Sequence, residues 1–194
     1  MAVTVLNLIQ GPGTLYKGTQ YSNTSAYTTT AEPLDAAVNT TPQSSSWTDV
    51  GGTRDGVTVE IGREYSELEV DQLVDTPDRR MTKREMSIAT NLAEATLENY
   101  ALANNESPPT TASGYKVTEP VTTTAATQPT YVPLIFDGFA PSAFRRRIIG
   151  RRMLSTEPVQ VAYKKDGQTV YAVKWASHYV SSSIAPYKLV DQTS

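Results

Sequence analysis

Seven carboxylates fall between Glu60 and Asp78 (Glu60, Glu64, Glu67, Glu69, Asp71, Asp75 and Asp78), with a single base, Arg63, among them. Two carboxyl groups facing each other across a cleft could hydrolyse a glycoside, one as acid and one as base, if burial kept one of them protonated. Glu67, Glu69 and Asp71 instead recur at every second position, which lines them along one face of an extended strand. No Asp-x-Asp-x-Asp-Gly loop offers a calcium site. The opposite charge is concentrated in Arg145, Arg146, Arg147, Arg151 and Arg152. Such a cluster can neutralise nucleic-acid phosphates, or it can pair with an acidic strand of the same or a neighbouring subunit. No aromatic residue interleaves these arginines, and 17 Lys and Arg against 20 Asp and Glu leave the chain at −3, which favours pairing over DNA binding. His178 is the only histidine and there is no cysteine, so thiolate chemistry and multi-histidine metal sites are excluded. A serine triad would have to pass through His178, and no Gly-x-Ser-x-Gly elbow exists. No catalytic residue, cofactor or metal is expected, and the chain is not expected to be an enzyme.

The elements that carry these residues read as mainly β. Val57, Val59 and Ile61 alternate with Thr58 and Glu60; after Gly62, Leu68 and Val70 alternate with Glu67, Glu69 and Asp71. A turn at Asp75-Thr-Pro-Asp78 then sends the chain back as a strand over Arg79 to Thr90. Further strands are predicted at Tyr131–Phe136, Phe144–Leu154, Val159–Tyr163, Thr169–Trp175 and Tyr187–Val190. The Asp-Gly at 166–167 predicts a hairpin between the third and fourth of these. One helix is expected over about 92–103, with Asn91 as N-cap, Glu94 closing a capping box, and Pro108-Pro109 beyond its end.

A chain of 194 residues can bury a core without a staple. Charged residues are only 19%, and the deficit is made up by Thr, Ser, Ala, Pro and Gly. Residues 1–50 read as an N-terminal arm: from Lys17 to Asp49 there are four charged residues against thirteen Ser or Thr, with no helical period. Such a segment orders only against something else, so deleting 14–46 is expected to leave a folded monomer. Residues 51–194 form the β domain, with a long Thr/Pro-rich loop at 106–130. No membrane-spanning run occurs, and Met1–Gly13 lacks the pattern of an export signal.

Several stretches, in order, resemble the major tail tube protein of long-tailed bacteriophages with non-contractile tails. They are Trp47–Gly52, Asp55–Ile61, Glu67–Asp71, Arg80–Glu85, Asn91–Glu94, Leu134–Gly138, Arg145–Arg147, Val159–Asp166 and Ala185–Asp191. The resemblance implies an orthogonal β-sandwich with a flanking helix. It also implies six-membered rings stacked into the tube through which double-stranded DNA leaves the capsid without specific binding. No catalytic residues are implied. The implied partners are further copies of the chain, a tape-measure protein, and tail-tip and tail-terminator proteins; the implied location is the virion tail, assembled in the host cytoplasm. The implied stacking elements are the Leu68–Arg84 hairpin, the N-terminal arm and the C-terminal segment.

The physics is compatible. Six subunits giving about four strands each make about 24, and at ~4.8 Å between strands, tilted by ~40°, the backbone diameter is nearly 50 Å. An acidic lining would keep duplex DNA from adhering. Glu60, Glu67, Glu69 and Asp71 are the candidates for that lining, unless they meet the arginine cluster of the next subunit. Candidates for the subunit interface are Leu68, Val70, Arg79, Arg80, Lys83, Arg84 and the five arginines at 145–152. The alternative is a surface-displayed β-sandwich that binds carbohydrate or a receptor, which would require Trp47 and Trp175 or other aromatics to converge on one face.

Overall fold

Alternating side chains can serve two faces of one strand, and the computed structural model, which describes residues 8–18, 32, 40–42, 44–120 and 129–193, is built on that property. The elements run β1 (Thr14–Gly18), β2 (Trp47–Asp49), β3 (Thr53–Leu68), β4 (Asp78–Leu92), α1 (Leu97–Ala103), β5 (Thr110–Ala112) and β6 (Tyr115–Val117). They continue with β7 (Val132–Phe139), β8 (Arg145–Ser155), β9 (Tyr171–Ser177) and β10 (Tyr187–Asp191). Eight strands form one antiparallel sheet in the order β2-β1-β7-β8-β9-β4-β3, with β10 also on β8, while β5 and β6 make a separate small hairpin. The protein is thus mainly β with a single helix among the described residues, as the alternation predicts.

Strand β8 is where the sheet divides. Ile149 sits between Ile135 of β7 and Lys188 of β10, whereas Met153 to Ser155 pair with Ser177 to Trp175 of β9. Between these halves β8 carries an extra residue against β7, which bends the strand. A strand that changes partners across a bulge lets one hydrogen-bonded sheet fold over its own core in the manner of a sandwich. That core contains Leu15, Ile88, Leu92, Leu134, Met153 and Trp175, closed by Leu102 of α1. Their neighbours in the pleat point the other way: Ile135 and Ile149 meet Trp47 and Tyr16 in a second, smaller cluster.

The N-terminal stretch read as an arm supplies two strands of the sheet. Leu15 is fully buried opposite Phe136, and Trp47 closes the second cluster, so deletion of 14–46 would remove part of the core. Most of residues 19–46, where the arm was expected, lies outside the described residues. The helix is also shorter than the capping pattern predicts. Asn91 and Leu92 stay in the β3–β4 ladder, with Leu92 buried, and Thr96 becomes the N-cap, its Oγ1 accepting from the Asn99 N–H at 3.2 Å. Glu94 turns instead to the Gly52 N–H, at 2.9 Å.

The Asp-Gly hairpin reduces to a single bridge between Lys164 and Gly167. The Thr156 N–H still reaches the Lys174 carbonyl at 3.1 Å, but Pro158 has no N–H to continue a ladder, so Val159 and Val161 pack on the core without forming a strand. The loop at 106–130 includes the β5–β6 hairpin, which is exposed throughout and tied to α1 by Lys116 and Glu98 at 2.5 Å.

Candidate functional site

The run before Gly62 and the start of the run after it, Glu67 and Leu68, belong to one strand. β3 pairs with β4 from Thr53↔Leu92 out to Leu68↔Asp78, and every residue from Glu60 to Arg84 is exposed. The outer half of this hairpin therefore leaves the sheet and stands free on both faces. One face continues the core side: Ile61 opposite Met86, Arg63 opposite Arg84, Tyr65 opposite Met81 and Glu67 opposite Arg79. The other carries Glu60 opposite Ser87, Gly62 opposite Glu85, Glu64 opposite Lys83, Ser66 opposite Arg80 and Leu68 opposite Asp78.

This parity corrects the proposed acidic row. Glu60 and Glu67 are an odd number of residues apart on a continuous strand, so they lie on opposite faces. Only Glu67 of the evenly spaced trio is on the strand; Glu69 and Asp71 belong to the tip beyond it. Glu67 is held by Arg79, its cross-strand partner, at 2.6 Å from Nη2 and 2.9 Å from Nε. On the other face Lys83 lies between Glu64 at 3.6 Å and Glu85 at 3.2 Å. These carboxylates, foremost the Glu85 oxygen that accepts a hydrogen bond from Lys83, raise the Lys83 ammonium above its ordinary value. Leu68 and Val70 are exposed near the tip, and Arg80 has no described ion-pair partner.

Sequence spacing also misses the apolar content of this projection: Tyr65, Met81, Leu73 and Val74 are exposed beside Leu68 and Val70. The signal for it is the change of parity itself. Apolar residues at 57, 59, 61 and 65 give way to 68 and 70 because the strand has passed the point where one face must serve the core.

The arginine cluster is taken apart by the pleat and the bulge of β8. Arg147 is 1% exposed and makes a bidentate pair with Asp137, both bonds at 2.6 Å, from the facing position on β7. Its Nη2 also donates to the Thr40 carbonyl at 2.7 Å. Arg151, also buried, donates to Glu32 at 2.6 and 3.2 Å and to the Ala185 carbonyl at 2.8 Å. Arg146 faces Asp191 of β10 and binds both its oxygens at 2.6 Å. That hydrogen-bonded guanidinium holds the Asp191 carboxyl below its ordinary value, against the opposing effect of burial. Arg152 lies 3.9 Å over the Tyr131 ring and donates to the Tyr179 carbonyl; Arg145 lies 4.9 Å over Phe139. Arg147 and Arg151 are thereby withdrawn from any surface on which DNA or a neighbouring subunit could settle. Strand pairing brings Asp137 alongside Arg147 and Asp191 alongside Arg146, while Glu32 reaches Arg151 from 119 residues away.

Trp47 and Trp175 are both buried, in different clusters on opposite faces of the sheet, so neither contributes to an exposed aromatic platform. A shallow depression of about 370 Å³ beside β4 and β9 is lined by Asp55, Thr58, Asn91, Glu157 and Lys174, with no aromatic residue. Its polar groups are paired internally, Lys174 to Glu157 at 3.4 Å and Asn91 to Asp55 at 3.2 Å. His178 follows β9, with its Nδ1 3.1 Å from the Ala176 carbonyl and its ring edge-on to Tyr131. No cluster of three or more metal-ligating side chains occurs among the described residues, and no described helix is long and apolar enough to cross a membrane.

No family model matches this chain, and no curated protein matches it. One solved structure, described as "Virion of native gene transfer agent (GTA) particle", is similar to it with a TM-score of 0.40 and 13% identity, over 76% of this chain and 89% of that one.

Proposed function

We propose that this chain is a structural virion protein that self-assembles into stacked hexameric rings, forming the tail tube that conducts a phage genome into its host. The observation that carries this reading is the free hairpin. A two-stranded ribbon is marginally stable alone in water, and this one exposes Ile61, Tyr65, Leu68, Val70, Leu73, Val74 and Met81. Apolar area of that extent, interleaved with fixed charges, suits a surface that another protein covers. The edges suit it too: among the described residues β3 has a partner on one side only, and a strand edge with unpaired N–H and C=O groups can continue a sheet into the next subunit.

In this reading the candidate lumen residues divide. Glu60 keeps company with Glu64 and Glu85 on the face away from the core, where an acidic surface would repel passing duplex DNA. Glu67, neutralised by Arg79, belongs with the apolar residues of the contact face, and Glu69 and Asp71 belong with the tip. Leu68, Val70, Arg79, Arg80, Lys83 and Arg84 remain the interface candidates, whereas the buried arginines of β8 serve the subunit's own fold. The partners are other copies in the ring and stack, with tape-measure, tail-tip and tail-terminator proteins, assembled in the host cytoplasm and carried in the virion.

Electron microscopy of the purified chain over a concentration series at low salt tests the proposal. Hollow tubes or six-fold rings are the expected result; a dispersed monomer at every concentration overturns it.

A further inference from the structure

Arg63 and Arg84 stand directly opposite each other in the β3–β4 ladder. Like charges at that separation repel, so the arrangement favours an anion that neutralises both. Arg84 leans over the Tyr187 ring at 5.7 Å, and no described carboxylate lies within ion-pair distance of Arg63. The same face is apolar on either side of the pair, with Ile61 towards the sheet and Tyr65 and Met81 towards the tip.

The tip has the inverse character. Glu69, Asp71 and Asp75 have no described cationic partner, and Val70, Leu73 and Val74 are exposed between them. The segment is shaped by a turn in which the Leu73 N–H donates to the Val70 carbonyl at 2.9 Å. The hairpin cannot bring its own tip to its own arginines. Pairing from Arg63↔Arg84 out to Leu68↔Asp78 holds it extended, and at ~3.3 Å per residue the tip stands about 20 Å away.

We infer that the acidic tip of one copy docks on the Arg63–Arg84 face of a second copy, Val70, Leu73 and Val74 packing against Ile61, Tyr65 and Met81. This rests on the assembly reading above and specifies which surfaces meet. The two patches differ, so the contact is heterologous: each copy presents a free tip and a free arginine pair, and the contact propagates from copy to copy.

Charge exchange tests it. In R63E/R84E both surfaces are acidic, and in E69K/D71K/D75K both are basic, so each variant repels itself while each complements the other. Every substituted side chain is exposed, and circular dichroism with urea unfolding checks that both variants retain the wild-type fold. The expected result is that each variant alone stays in the supernatant at about tenfold the concentration that sediments wild type, while an equimolar mixture sediments with wild-type behaviour. Polymerisation of either variant alone at the wild-type concentration, or a mixture of folded variants that stays dispersed, overturns the tip-to-arginine contact and leaves the assembly reading standing. A wild-type chain that never polymerises removes the assembly reading, and this inference falls with it.

Discussion

At the scale of single residues, Arg146 and Arg147 of β8 are each held by a carboxylate from a neighbouring strand. Because Arg147 is buried, removing the Asp137 carboxylate takes away the bidentate pair that compensates its charge. Asp137→Ala should therefore cost about 3–5 kcal/mol in urea unfolding, and Asp137→Asn less, since one acceptor oxygen survives. The Arg146–Asp191 pair is more exposed and its contribution is smaller, but it gives a pH signature. The Asp191 carboxyl titrates lower in the folded than in the unfolded chain, so the unfolded state binds the proton first as pH falls. Its stabilisation is complete above the unfolded carboxylate's range and is lost as pH drops through the folded value. Asp191→Asn should flatten that part of the acid limb of the stability curve and leave neutral pH the reference for the residual difference. Five arginines in eight residues look like one patch in the sequence, since nothing in the spacing reveals that Asp137 and Asp191 lie across from Arg147 and Arg146. Only β7 and β10 flanking β8 make that visible.

Among the elements, the long hairpin shows how a sequence pattern can be right in detail and wrong in division. Val57 and Val59 obey a period of two because they still face the core, and the antiparallel return through Arg79 to Thr90 was legible from the turn at Thr76-Pro77. The shift of the apolar residues to Leu68 and Val70 looks like a new strand, yet it records the loss of a buried side. Replacing Ser66–Arg80 by a two-residue Asn-Gly turn should preserve the urea midpoint and abolish tubes, because none of those residues is buried. The opposite holds for β1. A Thr-rich context hid it, but Leu15 sits in the core, and Leu15→Ala should cost about 2–5 kcal/mol. The helix was legible in kind and in its end at Ala103; its start was displaced because Leu92 gains more from burial in the sheet than from a capping turn. Thr96→Ala should remove about 1 kcal/mol by the same urea assay.

For the molecule as a whole, the fold class followed from the number of alternating runs, whereas the branching of the sheet at β8 depends on a bulge that no local pattern announces. An assembly held partly by exposed tip-to-arginine ion pairs should weaken as salt rises, since the screening length falls from about 10 Å at 0.1 M to about 3 Å at 1 M. Sedimentation across that range should show the critical concentration rising; a fall would mark a contact dominated by apolar burial. The place of β1 in the sheet has a different kind of consequence. Its partner β7 lies about 120 residues further along, and at ~5–20 residues per second a ribosome needs roughly 6–24 s to make the intervening chain. During that interval the β3–β4 ribbon, whose two strands are adjacent in sequence, is free to form while Leu15 still lacks its neighbours. The nascent chain therefore presents its stickiest projection before its centre closes.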